Sequence, residues 1–349
     1  MKILTHSLVD TPQKASRPKE TNMSGPTVFS SLSPAIPTKV FDTYWRFAAE
    51  RQKIFFARVK GHPSPWTSDP ILQEFKFTNA YRASDRVSQF LIREVIYSGP
   101  QGPEDVFFRI LLFKLFNKIE TWLLLEKNVG TIRWAKYQYQ DFDRVLTEAL
   151  SQGSRIYSAA YIMASGHIFF DVHRKHQSHL KLIELMMMDR VPERLQECRS
   201  MKSGFELLKS YPLIGDFLAY QLITDLNYSE IVDFSEMEFT MPGPGARDGI
   251  RKCFSTTGGL SEINIIRLMA DRQEHEFQRL NIKFDSLWGR RLQLIDIQNL
   301  FCEADKYARV KHPDIPGISG RQRIKQKLKA NAESIQYFYP PKWGLPSLP

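Results

Sequence analysis

Asp296, Asn299, Glu303 and Lys306 recur every three or four residues along Leu292–Tyr307, LQLIDIQNLFCEADKY. At 3.6 residues per turn that spacing puts two carboxylates, an amide and an amine on one helix face. In so apolar a helix the stripe can line a cleft, and it can equally be a surface face. A second cluster, Arg82, Asp85, Arg86 and Arg93, follows Phe75-Lys76-Phe77-Thr78-Asn79. Helical spacing would let Arg82 and Arg86 grip one anion while Asp85 orients them, although a solvated face with internal ion pairs has the same pattern. The third, Pro242-Gly243-Pro244-Gly245-Ala246-Arg247, packs two glycines, two prolines and a guanidinium into six residues. Such a loop lets backbone approach an anion closely.

The stretch that must position these groups is Gly204–Cys253. A short amphipathic helix with Phe205, Leu207 and Leu208 runs into Tyr211-Pro212-Leu213-Ile214-Gly215, and an apolar helix leaves through Phe217, Leu218, Leu222 and Ile223 to end near Asn227. That is the outline of a helix-hairpin-helix over 204–227. The N–H groups beyond Gly215 have no partner inside their helix and can meet a phosphate of a nucleic-acid backbone. Asp233 follows in a loop.

Upstream, Thr38 is placed to cap a helix bearing Phe41, Tyr44, Trp45, Phe47, Ala48 and Phe55, and the prolines of Gly61–Pro70 end it. From Pro103 to Leu124 the pattern predicts helix buried nearly all round, with Arg109, Asn117 and Glu120 as polar residues needing partners. Helical spacing recurs over 141–150, 155–164, 261–280 and 290–310. His167, His173, His176 and His179 come without HExxH or a cysteine pair, so neither zinc nor haem is expected. The Met186–Met188 run reads as adaptable core. With no strand-rich region and no internal repeat, the expected fold is all-α.

Composition sets the outer bounds. The 349 residues, 42% of them hydrophobic, can fill a sizeable core, and 48 Lys+Arg against 38 Asp+Glu give a formal charge of +10, which suits a polyanionic partner. Three cysteines, far apart, read as reduced thiols of an intracellular protein, nuclear in a eukaryote and cytoplasmic in a bacterium or phage. No apolar run approaches the roughly 20 residues of a membrane span, so no membrane partner is expected. Residues 1–37 are expected to be a disordered tail, 38–312 the helical domain, and 313–349 a basic and aromatic extension. In that extension Arg321, Arg323 and Lys325 suit phosphate contacts, and Tyr337, Phe338, Tyr339 and Trp343 suit base stacking.

FDTYWRFAAERQ at Phe41–Gln52, FKFTNAYRASDR at Phe75–Arg86, the Ser210–Tyr228 hairpin, PGPGAR and the Leu292–Tyr307 helix together resemble the helical domain of the 5-hydroxymethyl-deoxyuridine DNA kinases. This family was formerly labelled a glutamyl/putrescinyl-thymine pyrophosphorylase clade and is associated with DNA base hypermodification. The resemblance spans roughly residues 40–310. It implies a fold similar to helix-hairpin-helix DNA glycosylases, put to phosphoryl transfer from ATP or another nucleoside triphosphate onto the hydroxymethyl of 5-hydroxymethyluracil in DNA, with Mg²⁺ and a base turned out of the stack. The sequence contains no GxxxxGK[ST] loop.

For such chemistry the candidate catalytic residues are Asp233, Asp85, Arg82, Asp296 and Glu303. Arg86, Arg247, Gly243, Gly245 and Lys306 are candidates for nucleotide or phosphate, Gly215, Arg321, Arg323 and Lys325 for DNA, and Asp233 with Glu236 for the metal. Two other readings stay open. Asp233 lies about where helix-hairpin-helix glycosylases carry a catalytic aspartate, although their hairpin has a glycine in place of Leu213 and their bifunctional members a lysine in place of Phe217. A DNA-binding module without catalysis would use the hairpin and the basic extension alone.

Overall fold

The Thr38 hydroxyl accepts a bond from Val40 N at 3.1 Å and starts the first helix where its position predicts. The computed structural model describes residues 28–159, 163–329 and 335–346. In chain order the described helices are α1 Lys39–Val59, α2 Pro70–Glu74, α3 Arg86–Phe90, α4 Pro103–Phe116, α5 Ile119–Val129, α6 Tyr139–Ser151 and α7 His167–Phe170. After them come α8 Lys175–Met188, α9 Val191–Gln196, α10 Met201–Lys209, α11 Asp216–Leu226, α12 Pro244–Cys253, α13 Glu262–Arg279 and α14 Leu294–Lys311. The all-α expectation is met. The described strands are β1 Ile36–Pro37 and β2 Phe254–Thr256, an antiparallel pair. The expected tail largely falls outside the described residues, but 28–37 are ordered against the body: Ala35 is buried and Phe29 N bonds Asp271.

Two groups of helices share the core. One is α1, α12, α13 and α14, joined by aromatic edges such as Trp45 on Phe277 at 5.1 Å and Phe41 on Phe254 at 5.5 Å. The other surrounds α4, whose residues from Asp105 to Phe116 are all buried, with α8, α9 and α11 packed against it. The chain breaks between α4 and α5 at Asn117, whose left-handed φ of 49° ends the helix. Such a conformation suits Asn better than most residues. The buried Arg109 is also explained. It donates to the carbonyls of Val95 (2.7 Å) and Ile96 (3.1 Å), which close the π-helical turn Leu91–Ile96 following α3.

One expected helix is absent. Residues 152–159 and 163–166 are not helical, and the rest of the 155–164 span lies outside the described residues. The helix expected from 290 begins at Leu294, because Gln293 caps it and Asp296 returns the bond. Histidines 176 and 179 are core partners: His176 meets Asp143 at 2.7 Å, and His179 lies between the Tyr157 hydroxyl (2.8 Å) and the Ala164 carbonyl (2.9 Å).

The tightest approach is α12 on α14. A Cβ on Gly249 would fall 2.1 Å from the Phe301 carbonyl oxygen, so the two backbones can touch only because that position has no side chain. Gly249→Ala must push them apart and is expected to lower stability by about 1–3 kcal/mol. Gly215→Ala, where a Cβ meets nothing within 4 Å, is the matched control. Urea unfolding of both variants checks the difference.

Candidate functional site

The polar stripe of α14 turns inward, onto residues 77–85 between α2 and α3. Asp296, buried, accepts Arg82 N on Oδ1 (2.7 Å) and Gln293 N on Oδ2 (2.9 Å). Two turns later Glu303 accepts Thr78 N at 3.0 Å and pairs with Lys306 at 2.8 Å, while the Lys306 ammonium sits 4.6 Å from the Phe77 ring centre. One helix face therefore pins one extended segment at both ends.

That pinning breaks the expected helix. Residues 82–84 make a single 3₁₀ turn, Asp85 is extended (φ −71°, ψ 146°), and α3 starts afresh at Arg86. Arg82 then points inward and Arg86 outward, so the two do not grip one anion together. The Arg82 guanidinium, 5% exposed, meets Asp225 Oδ1 at 2.7 Å, Gln221 Oε1 at 3.2 and 3.1 Å, and the Tyr228 hydroxyl at 2.9 Å. Lys114, also buried, holds the other oxygen of Asp225 at 2.8 Å. Sequence reasoning missed Asp225, Lys114, Gln221 and Tyr228. The signal was a lysine inside FFRILLFKLF and an aspartate inside FLAYQLITDL, since charges in buried helices come paired.

Asp85 closes the rim of this site. Its Oδ1 accepts Asn79 N at 2.7 Å, and the Asn79 side chain bridges the Ser84 carbonyl (2.7 Å) and Arg51 (3.0 Å). Burial pushes the half-buried Asp85 carboxyl up to about 7, with the charge of nearby Glu303 adding, although the Asn79 N–H, Arg51 and Arg82 oppose it. Asp296 is likewise raised to about 7 by burial, and the charge of Glu236 contributes.

The two expected metal ligands part company. Glu236 is buried against Arg290 at 2.7 Å, its pKa raised by burial and held back by that guanidinium. The Asp233 side chain is 86% exposed and lies 3.5 Å from Lys342, whose Nζ also donates to the Ser229 and Val232 carbonyls at 2.8 and 2.7 Å.

The glycine loop is also corrected. Pro244–Arg247 form the first turn of α12, and the space that Gly243 and Gly245 leave is filled by the Phe217 ring and Cys302 Sγ, to which added Cβ atoms would come within 2.8 and 3.0 Å. Those glycines serve packing, and Arg247 pairs with Glu262 at 3.2 Å.

At the hairpin, α10 and α11 pack together through a six-residue turn. Leu213 adopts φ 66° there, a left-handed conformation that normally selects glycine. Gly215 caps α11 with no side chain over its first N–H groups, but Asp216 stands beside them, 2.8 Å from Lys209. In the extension, Arg321 bonds Asp248 at 2.9 Å, and Arg323 and Lys325 flank a locally non-helical chain. Among the described residues no three His, Cys, Asp or Glu converge as a metal cage, and no helix is long and apolar enough to cross a membrane.

A sequence profile described as 5-hmdU DNA kinase, helical domain, matches residues 38–317, and the chain belongs to that family. A curated relative, the 5-hmdU DNA kinase of Bacillus phage SP10, is 25% identical over 346 residues, covering 93% of this chain and 53% of the relative. The chain thus spans about half the length of that protein. No solved structure matches.

Two measurements test the charged site. Asp225→Asn removes the buried carboxylate that Arg82 and Lys114 share and is expected to cost about 3–5 kcal/mol of stability, read by urea unfolding at pH 7. Asp296→Asn should change the pH dependence. A carboxyl raised to about 7 binds a proton in the folded chain that the unfolded chain has already released, so the wild type loses stability as pH rises from its ordinary value toward 7. Across that window the variant should gain relative to wild type, and a pH-independent difference would remove the assignment.

Proposed function

We propose that the chain handles the reacting base in nucleotide-dependent phosphorylation of 5-hydroxymethyluracil in DNA, a step of base hypermodification, with the rim formed by Arg51, Asp85, Glu303 and Lys306 as the reacting site. Membership of the family over residues 38–317 carries this reading, and the printed name of the phage relative supplies the substrate. The geometry supports it through Asp85. A general base works best with a pKa near the operating pH and within reach of its proton. Asp85 is raised to about 7 and is half-buried, and among the described residues only one of its oxygens is taken by a hydrogen bond.

In this reading the hydroxymethyl oxygen attacks the terminal phosphorus of the nucleotide. Its proton passes to Asp85, the bond from that phosphorus to the bridging oxygen breaks, and a nucleoside diphosphate leaves. Lys306, Arg51 and the exposed Arg86 are the cations at the rim that can meet phosphate oxygens. Glu303 fits a divalent cation: its charge already disfavours a second negative charge on Asp85, a repulsion that a cation would relieve. Mg²⁺ needs only one or two carboxylates beside its phosphates and waters, and when bound it would neutralise phosphate charge. Arg82 and Asp296 act beneath the rim by fixing the backbone from which Asp85 projects. The hairpin at 210–215 and the cations Arg321, Arg323 and Lys325 are assigned to the DNA backbone, where positive charge adds affinity without reading sequence.

The test is incubation with γ-labelled ATP, Mg²⁺ and DNA carrying 5-hydroxymethyluracil beside thymine DNA, followed by digestion and nucleoside mass analysis. Label is expected on the hydroxymethyl base alone, with turnover rising with pH through about 7 as Asp85 ionises. Asp85→Asn should lower it by about 10²–10⁴-fold and abolish that rise. An abasic site without label would favour base excision. DNA binding with neither label nor base loss would make the chain a DNA-reading module.

A further inference from the structure

Residues 335–346 fold back over the site, and their aromatic rings do the covering. Tyr337 packs on Trp288 with ring centres 4.6 Å apart, and the Tyr339 hydroxyl is 2.7 Å from Ser84 Oγ. Trp343 lies 3.8 Å from the Arg290 guanidinium and edge-on to Tyr228 at 5.6 Å. Tyr339 and Trp343 themselves run nearly parallel, 21° apart in plane with centres at 6.1 Å. Lys342 and the backbone of Phe338 fasten the segment, through the Ser229 and Val232 carbonyls and through Gln89 Oε1 at 2.7 Å. Both Asp85 and Asp296 lie close enough for their charges to help raise the Tyr339 hydroxyl, after burial. The strap therefore stands beside the carboxylate assigned to the reaction.

The surface beneath it is unusual in its own right. Trp288 has φ 48° on the turn between Ser286 and Arg290, a left-handed conformation that is a genuine outlier for a bulky residue. Backbone strain of that kind gathers at ligand clamps, where surrounding structure holds it in place. Tyr337 and Tyr339 lie on the indole it presents, and two residues on, the Arg290 guanidinium lies under Trp343, which also meets Tyr228. Flat rings and guanidinium planes are what an unstacked nucleobase binds, whatever its identity. The strap offers that surface flat rings of its own.

We infer that the platform of Trp288, Arg290 and Tyr228 seats the target nucleobase of DNA, and that Tyr339 and Trp343 occupy it as stand-ins until DNA displaces them. The inference rests on the reading of a DNA base as substrate. It adds the base's seat, which leaves the 5-substituent toward Asp85, and a competition between strap and substrate. A strap that were instead a fixed wall of the site would add contacts to bound DNA and stay in place.

Hydrogen exchange of amides 335–346 in the full chain, alone and with a single-stranded oligonucleotide containing 5-hydroxymethyluracil, separates the two. Exchange is expected to quicken with DNA. Trp343→Ala should tighten oligonucleotide binding by about tenfold, the worth of one desolvated cation–π contact, while Trp288→Ala weakens it by about as much. Binding with unchanged or slower exchange in 335–346 would overturn the inference and leave the substrate reading standing, as would weaker binding by Trp343→Ala in a variant that unfolds like wild type. If neither wild type nor Trp343→Ala binds the oligonucleotide, both readings fall together.

Discussion

Asp225 stands between Arg82 and Lys114 with all three side chains at most 5% exposed, and the geometry of the candidate site follows from that contact. Each ion loses several kcal/mol of hydration on burial, and mutual attraction need not repay it. An apolar trio of similar volume could be as stable. What the charges provide is position, because a carboxylate with two cations has one good arrangement where methyl groups have many. The arrangement ties α11, α4 and the 82–84 turn to one another. It thereby sets the Arg82 backbone, whose N–H meets Asp296 and whose chain direction delivers Asp85 to the rim.

Much of the scaffold was legible because its signals are local. Thr38, Gly215 and Ser261 stand at helix starts where their types predict, and the period of α14 revealed a polar face. Which way that face pointed was not legible. Spacing alone cannot tell a stripe that meets water from one that meets the 77–85 backbone, since both satisfy the same polar groups. The Arg82–Arg86 pair failed for a related reason: helical spacing presumes an unbroken helix, and two backbone bonds to α14 made the extended segment the better choice. The glycines at 243 and 245 suited an anion loop by composition, whereas Phe217 and Cys302, distant in sequence, use the space they leave. Asp225 and Lys114 were visible as charges in apolar helices, but their pairing depends on how α4 and α11 pack.

Leu213 shows the same limit from the other side. Its place where the glycosylase hairpin has a glycine counts against the base-excision reading, yet its backbone adopts the left-handed conformation at φ 66°. The side chain fills the space beside Gly166, where an added Cβ would fall 2.3 Å from Leu213 Cδ1. Burial of an isobutyl group on that neighbour offsets the roughly 1 kcal/mol that left-handed backbone costs a residue with a Cβ. A left-handed turn position can thus hold a leucine where glycine is the usual choice.

Asp85 and Asp296 are both raised to about 7, chiefly by burial, and that equality conceals different capacities. Both oxygens of Asp296 already accept backbone N–H groups, at 2.7 and 2.9 Å. Both are thereby committed to the N–H groups that shape the segment. Asp85 has one oxygen engaged and stands at the rim, where a substrate hydroxyl can reach the other. A pKa near neutrality makes a group easy to titrate, but exchange with substrate also needs an unoccupied lone pair and a path. By that criterion the Asp296 carboxylate is taken up within the fold, whereas Asp85 is the group on which the proposed reaction calls.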